Sequence, residues 1–293
     1  MQKKQAENNG TKSCKANNGE LLSGKGADNT GMKKWRGHLR DFFHYRDLLR
    51  LLVKRDIKLK YRRSVLGYLW SVLDPLLSMI VMAVVFSAMF RENIENYPLY
   101  LFCGQLLFNF FRASTSMAIH SITSNGAIIK KAYVPKYIFT FSRLISTLID
   151  LLFTMLALLL IMLATGAEFS PYNLLFPFVL LQLFLFSLGF GLFLAQANVF
   201  FRDIQYIYNA LMMAWMYLTP IFYPLEALPR GVAGAVARWN PMYYYVKQFR
   251  DIFYTGIWPE TDMIAAGCAA ALVMLIFGSA AFIRTQSRFI LYI

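Results

Sequence analysis

From residue 66 onward the chain is built of long apolar blocks separated by short polar connections. A helix crosses a bilayer with roughly 20 mostly apolar residues. Six stretches reach that length: Leu66–Phe90, Tyr97–Ile122, Leu144–Ala164, Leu174–Phe201, Ile204–Tyr223 and Met263–Ile283. The pattern predicts an all-α integral membrane protein with six transmembrane helices. Asp74-Pro75 falls in the first third of the first span, where a proline removes an amide from the helical ladder and predicts a local break. The fourth span contains no charged residue, and the fifth ends among Pro220 and Pro224.

Two stretches fit neither a span nor a simple loop. Within Phe42–Val65, Leu49, Leu52, Val53 and Ile57 follow helical spacing, and Arg and Lys populate the other positions. This predicts an amphipathic helix over 41–65 lying in the membrane interface, its basic side chains reaching headgroups. Residues 225–262 are too polar to span, yet they hold Trp239, Asn240, Pro241, Tyr243, Tyr244, Tyr245, Phe249, Phe253, Tyr254 and Trp258. Aromatic rings favour the membrane–water boundary. One or two short re-entrant helices are expected here, with Asn240-Pro241 opening the second. Such backbone is tolerated only beside protein or a water-filled cavity.

Residues 1–40 are rich in Lys, Asn and Gly, and their composition predicts a disordered tail. Within it, Gly19 to Gly26 imitates a phosphate-binding loop. However, Gly26 stands where a Ser or Thr must hold magnesium, and no apolar strand precedes the motif. No cleavable leader is expected, because Met1 opens directly onto this polar stretch.

Composition supports the membrane reading: 57% of residues are hydrophobic and 16% are charged. The net charge of +14 raises nucleic acid as a partner. The basic residues, however, cluster before residue 64 and in short connections beside apolar spans, as suits anchoring against anionic lipid. Cys14, Cys103 and Cys268 lie far apart and imply neither a disulfide framework nor a zinc site. Short connections rich in Lys and Arg face the cytoplasm. The 125–143 connection holds Lys130, Lys131, Lys136 and Arg143 with no acid, and the C-terminal tail adds Arg284 and Arg288. Both termini are therefore expected on the cytoplasmic side, which agrees with an even span count.

Chemistry has few candidate carriers. His38, His44 and His120 show no ligand spacing, and no paired-carboxylate or metalloprotease motif occurs. Asp74, Asp150 and Arg112 are charged residues inside predicted spans, which marks them as functional suspects. Asp74 is expected to serve backbone groups freed by Pro75. Asp150 follows Arg143 by seven residues on one helical face, about 10 Å away, which suggests either a snorkelled pair or an interhelical one. Arg112 needs a carboxylate or an aqueous cavity, and its guanidinium suits an anionic phosphate. In the 124–137 connection, Asn125-Gly126 precedes a brief amphipathic segment that stops at Val134-Pro135. Ile128, Ile129, Tyr133 and Val134, flanked by Lys130 and Lys131, offer either an interfacial anchor or a docking surface for a cytoplasmic partner.

From about Leu48 to the C-terminus the chain resembles the membrane subunit of type-2 ABC exporters of polysaccharides, the O-antigen, capsule and teichoic-acid permeases. Four segments carry the likeness. They are Leu52–Trp70 with Asp74-Pro75, Asn125-Gly126 through Pro135-Lys136, Asn198–Asp203, and Leu218–Pro224 with Trp239-Asn240-Pro241. The resemblance implies a homodimer in a bacterial inner membrane, with two copies of a separate ABC ATPase subunit that holds ATP and magnesium. The chain itself would bind no cofactor or metal and catalyse no reaction. The cargo would be a glycan linked to undecaprenyl diphosphate. Gly126, Ile128, Ile129, Lys130, Lys131, Tyr133, Pro135 and Lys136 would receive the ATPase stroke. Arg55, Lys58, Lys60, Arg62 and Arg63 would lie at the cytoplasmic gate near the diphosphate. Trp239, Tyr243, Tyr244 and Tyr245 would line the glycan path, to which the intramembrane charge argument adds Arg112. A permease for small molecules, a membrane enzyme acting on polyprenyl-linked sugars, and an ion-coupled transporter using Asp150 and Arg112 are the competing readings.

Overall fold

A computed structural model describes residues 45–62, 66–90 and 94–292, which from Arg46 onward belong to one compact unit, Arg46–Ile293. The expected tail 1–40, residues 41–44 and Arg63 lie outside the described residues. Among the described residues the regular structure is entirely helical. In chain order the α-helices are α1 (Arg46–Tyr61), α2 (Trp70–Phe90), α3 (Tyr97–Ile119), α4 (Gly126–Lys131), α5 (Tyr137–Thr165), α6 (Phe176–Phe200), α7 (Ile204–Leu218), α8 (Arg230–Trp239), α9 (Pro241–Phe253), α10 (Thr261–Thr285) and α11 (Phe289–Tyr292).

Helix ends follow local chemistry. The Asn96 side chain accepts from the Leu99 amide at the start of α3, where Pro98 needs no donor partner. Gly166, at φ 69°, lets α5 end in a left-handed residue that a side chain would strain. The Asn240 side chain caps α9 by accepting from the Met242 amide at 3.1 Å, so the expected Asn-Pro opening of a helix is present.

The expected break at Pro75 does not occur. α2 runs continuously through it. Pro75 leaves the Ser71 carbonyl without its helical donor, and the Thr154 hydroxyl on α5 supplies one at 3.2 Å. Thr154, rather than the expected Asp74, therefore satisfies the freed group.

α3 forms the centre of the bundle and packs against α2, α5, α6 and α9. Its Leu101, Cys103, Leu107 and Phe111 are fully enclosed. α6 and α10 make the most intimate contact through glycines. A Cβ on Gly278 would stand 1.9 Å from the Gly189 carbonyl oxygen, so the two backbones touch directly. Buried polar groups on α9 tie it to both helices. Gln182 donates to Gln248 at 3.1 Å, and Tyr245 donates to the Gly267 carbonyl at 3.0 Å.

Among the described residues, four helical stretches are long and apolar enough to cross a membrane: Gly67–Phe86, Tyr137–Thr165, Pro171–Phe200 and Thr261–Tyr292. Six were expected. α3 falls short in hydropathy because Gln105, Asn109, Arg112 and several hydroxyls interrupt it, and α7 has only 15 residues. α5 begins at Tyr137, seven residues before the expected Leu144, because the polar Thr140, Ser142 and Ser146 are buried against neighbouring helices. The amphipathic helix observed is α1, shorter than the expected 41–65, and its Leu52, Val53 and Asp56 are buried.

Candidate functional site

Two places gather polar and charged side chains in this otherwise apolar bundle. The first is a junction where α1, the turn Thr123–Asn125 and α5 meet. Asp56 is 6% exposed, and its Oδ1 receives Arg143 of α5 at 2.9 Å and Arg55 of α1 at 3.3 Å. Arg55 also donates to the Asn125 side chain at 3.1 Å, and Asn125 in turn donates to the Ser121 carbonyl at 2.8 Å. Arg143 reaches the Ser124 hydroxyl at 3.3 Å. Of the two pairings expected for Asp150, the interhelical one is present and the one along α5 with Arg143 is not, because α1 packs beside α5 and inserts closer partners. Asp150 instead binds Lys60 at 2.7 Å. The two ties fall in the same order on both helices, so α1 and α5 run in the same direction at this contact.

α4 follows directly from the turn. Lys130 and Lys131 are exposed, Ile128 is half-buried, and Tyr133 just beyond is 99% exposed. Ile129 and Gly126 are buried within the chain. Ile129 therefore offers no surface to a partner, contrary to expectation, because it anchors α4 to the bundle. Pro135 and Lys136 are half-buried. Lys136 donates to the Gln286 carbonyl and lies over the Phe289 ring at 5.4 Å. Burial pushes its ammonium pKa below the ordinary lysine value. Asn198 at the end of α6 donates to the Ile119 carbonyl at 3.1 Å, which ties the 198–203 turn to the same end of the bundle. Phe201 and Arg202 are exposed there.

The second place is a cleft of about 510 Å³ between α2, α3 and α5. Its polar lining includes Asp74, Gln105, Asn109, Asp150 and Thr154, with Lys60 at its edge. Lys60 is exposed yet paired with a carboxylate, Lys58 and Arg62 are exposed, and Arg55 is held in the junction. Arg112 is exposed on the flank of α3 and does not line this cleft. Among the described residues it makes no ion pair within 4.0 Å.

The aromatic residues of 239–245 divide sharply. Trp239 is 79% exposed at the end of α8. Tyr245 is completely enclosed and bonded to α10, and Tyr243 and Tyr244 are also buried. Those three rings are not available to stack on a passing sugar, contrary to expectation, because α9 packs nearly its whole surface into the bundle. An apolar groove of about 870 Å³ runs beside Trp239, walled by α6, α7 and α8.

Sequence reasoning missed the keystone of this region. Arg250 is 6% exposed and donates to the Pro220 carbonyl at 2.7 Å and the Ile221 carbonyl at 2.9 Å. Its guanidinium lies 3.5 Å from the Tyr100 ring centre. Tyr97 donates to the Phe222 carbonyl at 2.8 Å, and Tyr100 to the Tyr223 carbonyl at 3.1 Å. Four successive carbonyls of a non-helical segment are thus each met by a side chain. Gly104 makes room, since a Cβ there would lie 3.0 Å from Arg250 Nη2. In sequence, Arg250 is one charge in a stretch where Lys and Arg balance Asp and Glu, and nothing local marks it as buried. In fact Asp251 pairs with Lys247 at 2.7 Å and leaves Arg250 to the carbonyls.

Among the described residues no three His, Cys, Asp or Glu side chains gather as a metal site. Comparison with known proteins gives the chain its relatives. It is 31% identical over 252 residues to the O-antigen export system permease protein RfbA of Myxococcus xanthus, covering 86% of this chain and 97% of that one. The RfbA permease of Klebsiella pneumoniae is 27% identical, with 83% and 93% covered. The polysialic acid transport protein KpsM of Escherichia coli is 24% identical, with 81% and 92% covered. Residues 47–254 match the ABC-2 type transporter family, and the chain belongs to it.

Proposed function

We propose that this chain is the membrane-spanning subunit of an ATP-driven exporter that moves a lipid-linked polysaccharide across the bacterial inner membrane. It works as a homodimer with two copies of a separate ATPase subunit, which carries ATP and magnesium. Six helices cross the membrane: α2, α3, α5, α6, α7 and α10. α8 and α9 re-enter from the far side. The relatives named for O-antigen and polysialic acid transport support the cargo class.

The observation that carries this reading is the surface at α4. A tyrosine 99% exposed follows a helix that carries two exposed lysines and is pinned from below by Ile129. It suits a protein partner: an aromatic anchor with a basic rim. The cleft supports the cargo. Amide, hydroxyl and carboxylate groups at membrane depth suit a hydroxyl-rich glycan, and its polar walls are costly to leave against lipid. Exposed Asn109 and Arg112 on α3 call for the same cover, which a second copy around a shared aqueous path supplies. Lys58, Arg62 and Arg63 remain the gate residues for a diphosphate. Trp239 is the ring placed to meet sugars.

The test co-expresses the chain with a candidate ABC ATPase subunit from the same genome. Lys130→Glu with Lys131→Glu and Tyr133→Ala is expected to lower ATPase capture more than ten-fold and abolish surface polysaccharide. Stoichiometric capture by that variant refutes the docking assignment. Normal surface polysaccharide in a strain lacking the chain refutes the cargo.

A further inference from the structure

We infer that Asp56 is a positioning residue that transmits movement of the α4 connection to α1 and so to the mouth of the cleft. The inference rests on the reading that an ATPase subunit acts on α4.

The junction has the form of a clamp. Two guanidiniums, one from α1 and one from α5, converge on a single carboxylate oxygen, and each also grips the turn that leads into α4. Arg55 holds Asn125 at 3.1 Å, and Arg143 holds Ser124 at 3.3 Å. The Ser124 hydroxyl donates to the His120 carbonyl at 2.6 Å, which fixes the turn to the end of α3. The Asp56 side chain is 1% exposed, whereas those of Arg55 and Arg143 are 37% and 17% exposed. Only Asp56 is sealed from water.

That asymmetry decides what moves. Without the carboxylate, two like charges face each other in a poorly solvated pocket, so both arginines depend on Asp56. A push on α4 displaces Ser124 and Asn125, and the guanidiniums follow. Breaking the buried ion pairs costs more than shifting α1, so α1 follows as a unit. One turn further along α1, Lys60 is tied to Asp150 through side chains that are 53% and 19% exposed. This wetter tie is the weaker of the two and yields first. Lys60 and Asp150 both line the cleft. Movement at α4 therefore reaches the cleft as a change in the Lys60–Asp150 contact. The second carboxylate oxygen of Asp56 has no partner among the described residues, which leaves slack for rotation of the carboxylate.

The experiment uses the full complex of permease and ATPase, reading ATPase capture, ATP hydrolysis by the purified complex, and surface polysaccharide at matched membrane levels. Asp56→Asn is expected to keep capture and basal hydrolysis within two-fold while surface polysaccharide falls at least ten-fold. Asp56→Glu, which keeps the charge, retains at least half of the export. Asn125→Ala, which cuts the link between Arg55 and the turn without touching a buried charge, lowers export three-fold or more at unchanged hydrolysis. Normal export by Asp56→Asn overturns the inference. So does loss of capture by Asp56→Asn together with normal export by Asn125→Ala, because Asp56 then only holds the fold. Failure of the unaltered chain to capture the ATPase is a separate result and strikes the proposed function instead.

Discussion

At the scale of single residues, the bundle is held by side chains that repair the backbone of a neighbouring helix. Thr154 is the clearest instance, because Pro75 orphans one carbonyl and one hydroxyl from α5 meets it at 3.2 Å. Thr154→Val is expected to destabilise the protein by about 0.6 kcal/mol, and at most ~1.7 kcal/mol, the range for hydrogen bonds between membrane helices. In a Pro75→Ala background the new amide can bond to Ser71 itself, so the same substitution should cost almost nothing. Unfolding in detergent, measured for the four chains of that cycle, checks this; an equal cost in both backgrounds refutes the repair. Sequence spacing showed that Pro75 creates a need but not who meets it, since the donor lies 79 positions away. Asp56 was more legible than it was read. One acid amid Arg55, Lys58, Lys60 and Arg62 invites the question of what it neutralises. Three consecutive tyrosines on a helix turn through about 100° each, so they cannot all face a path, and Tyr243, Tyr244 and Tyr245 prove to be core.

At the scale of elements, hydropathy picked out the helices that are apolar throughout, whatever they face. α2 and α10 have only 11% and 22% of their apolar stretches buried, whereas α6 is 67% buried and equally legible, because its protein neighbours are as apolar as lipid. α3 touches other helices on most of its surface, where Ser114 and Thr115 find hydrogen-bond partners, and Gln105, Asn109 and Arg112 further dilute its apolar signal. The starts of α3 and α9 were legible in Asn96 with Pro98 and in Asn240 with Pro241, where capping chemistry is local. The α6–α10 contact was not legible, because a glycine does not reveal which backbone it admits. Gly278→Ala is expected to destabilise by about 1–3 kcal/mol, as overpacking does. Its Cβ meets a carbonyl at 1.9 Å, and backbone cannot step aside as a flexible side chain can. Gly234→Ala is the control. It lies inside α8 with nothing within 4 Å, so it should be neutral or gain about 0.5–1 kcal/mol from helix propensity. Thermal unfolding of the two variants distinguishes them, and equal shifts would deny the close approach.

At the scale of the whole molecule, contacts between connections decide how many helices cross. If only the four most apolar stretches crossed, the 125–136 connection and the C-terminal segment would lie on opposite sides. The structure brings them together: Lys136 bonds to the Gln286 carbonyl and covers Phe289, and Phe200 packs on Phe289 and Tyr292. Ser170 donates to the Gly256 carbonyl at 3.0 Å, which gathers the 166–175 connection with the 254–260 segment at the other end. The proposed six-helix arrangement, in which α3 and α7 also cross, keeps each of these contacts on one side of the membrane. α3, with 23 residues, reaches about 34 Å, enough for a hydrocarbon core of roughly 30 Å. α7 reaches only about 22 Å. The non-helical 219–223 segment completes it, which membrane depth permits because Arg250, Tyr97 and Tyr100 take its carbonyls. Single cysteines placed at Glu95, Lys130, Arg202, Trp258 and Arg288, with Cys14, Cys103 and Cys268 replaced by serine, test this arrangement. An impermeant thiol reagent applied to right-side-out vesicles is expected to label positions 95 and 258 and to spare 130, 202 and 288. Four crossings would instead put 95 with 130, and 202 with 258, so labelling that groups those pairs would refute the six-helix arrangement.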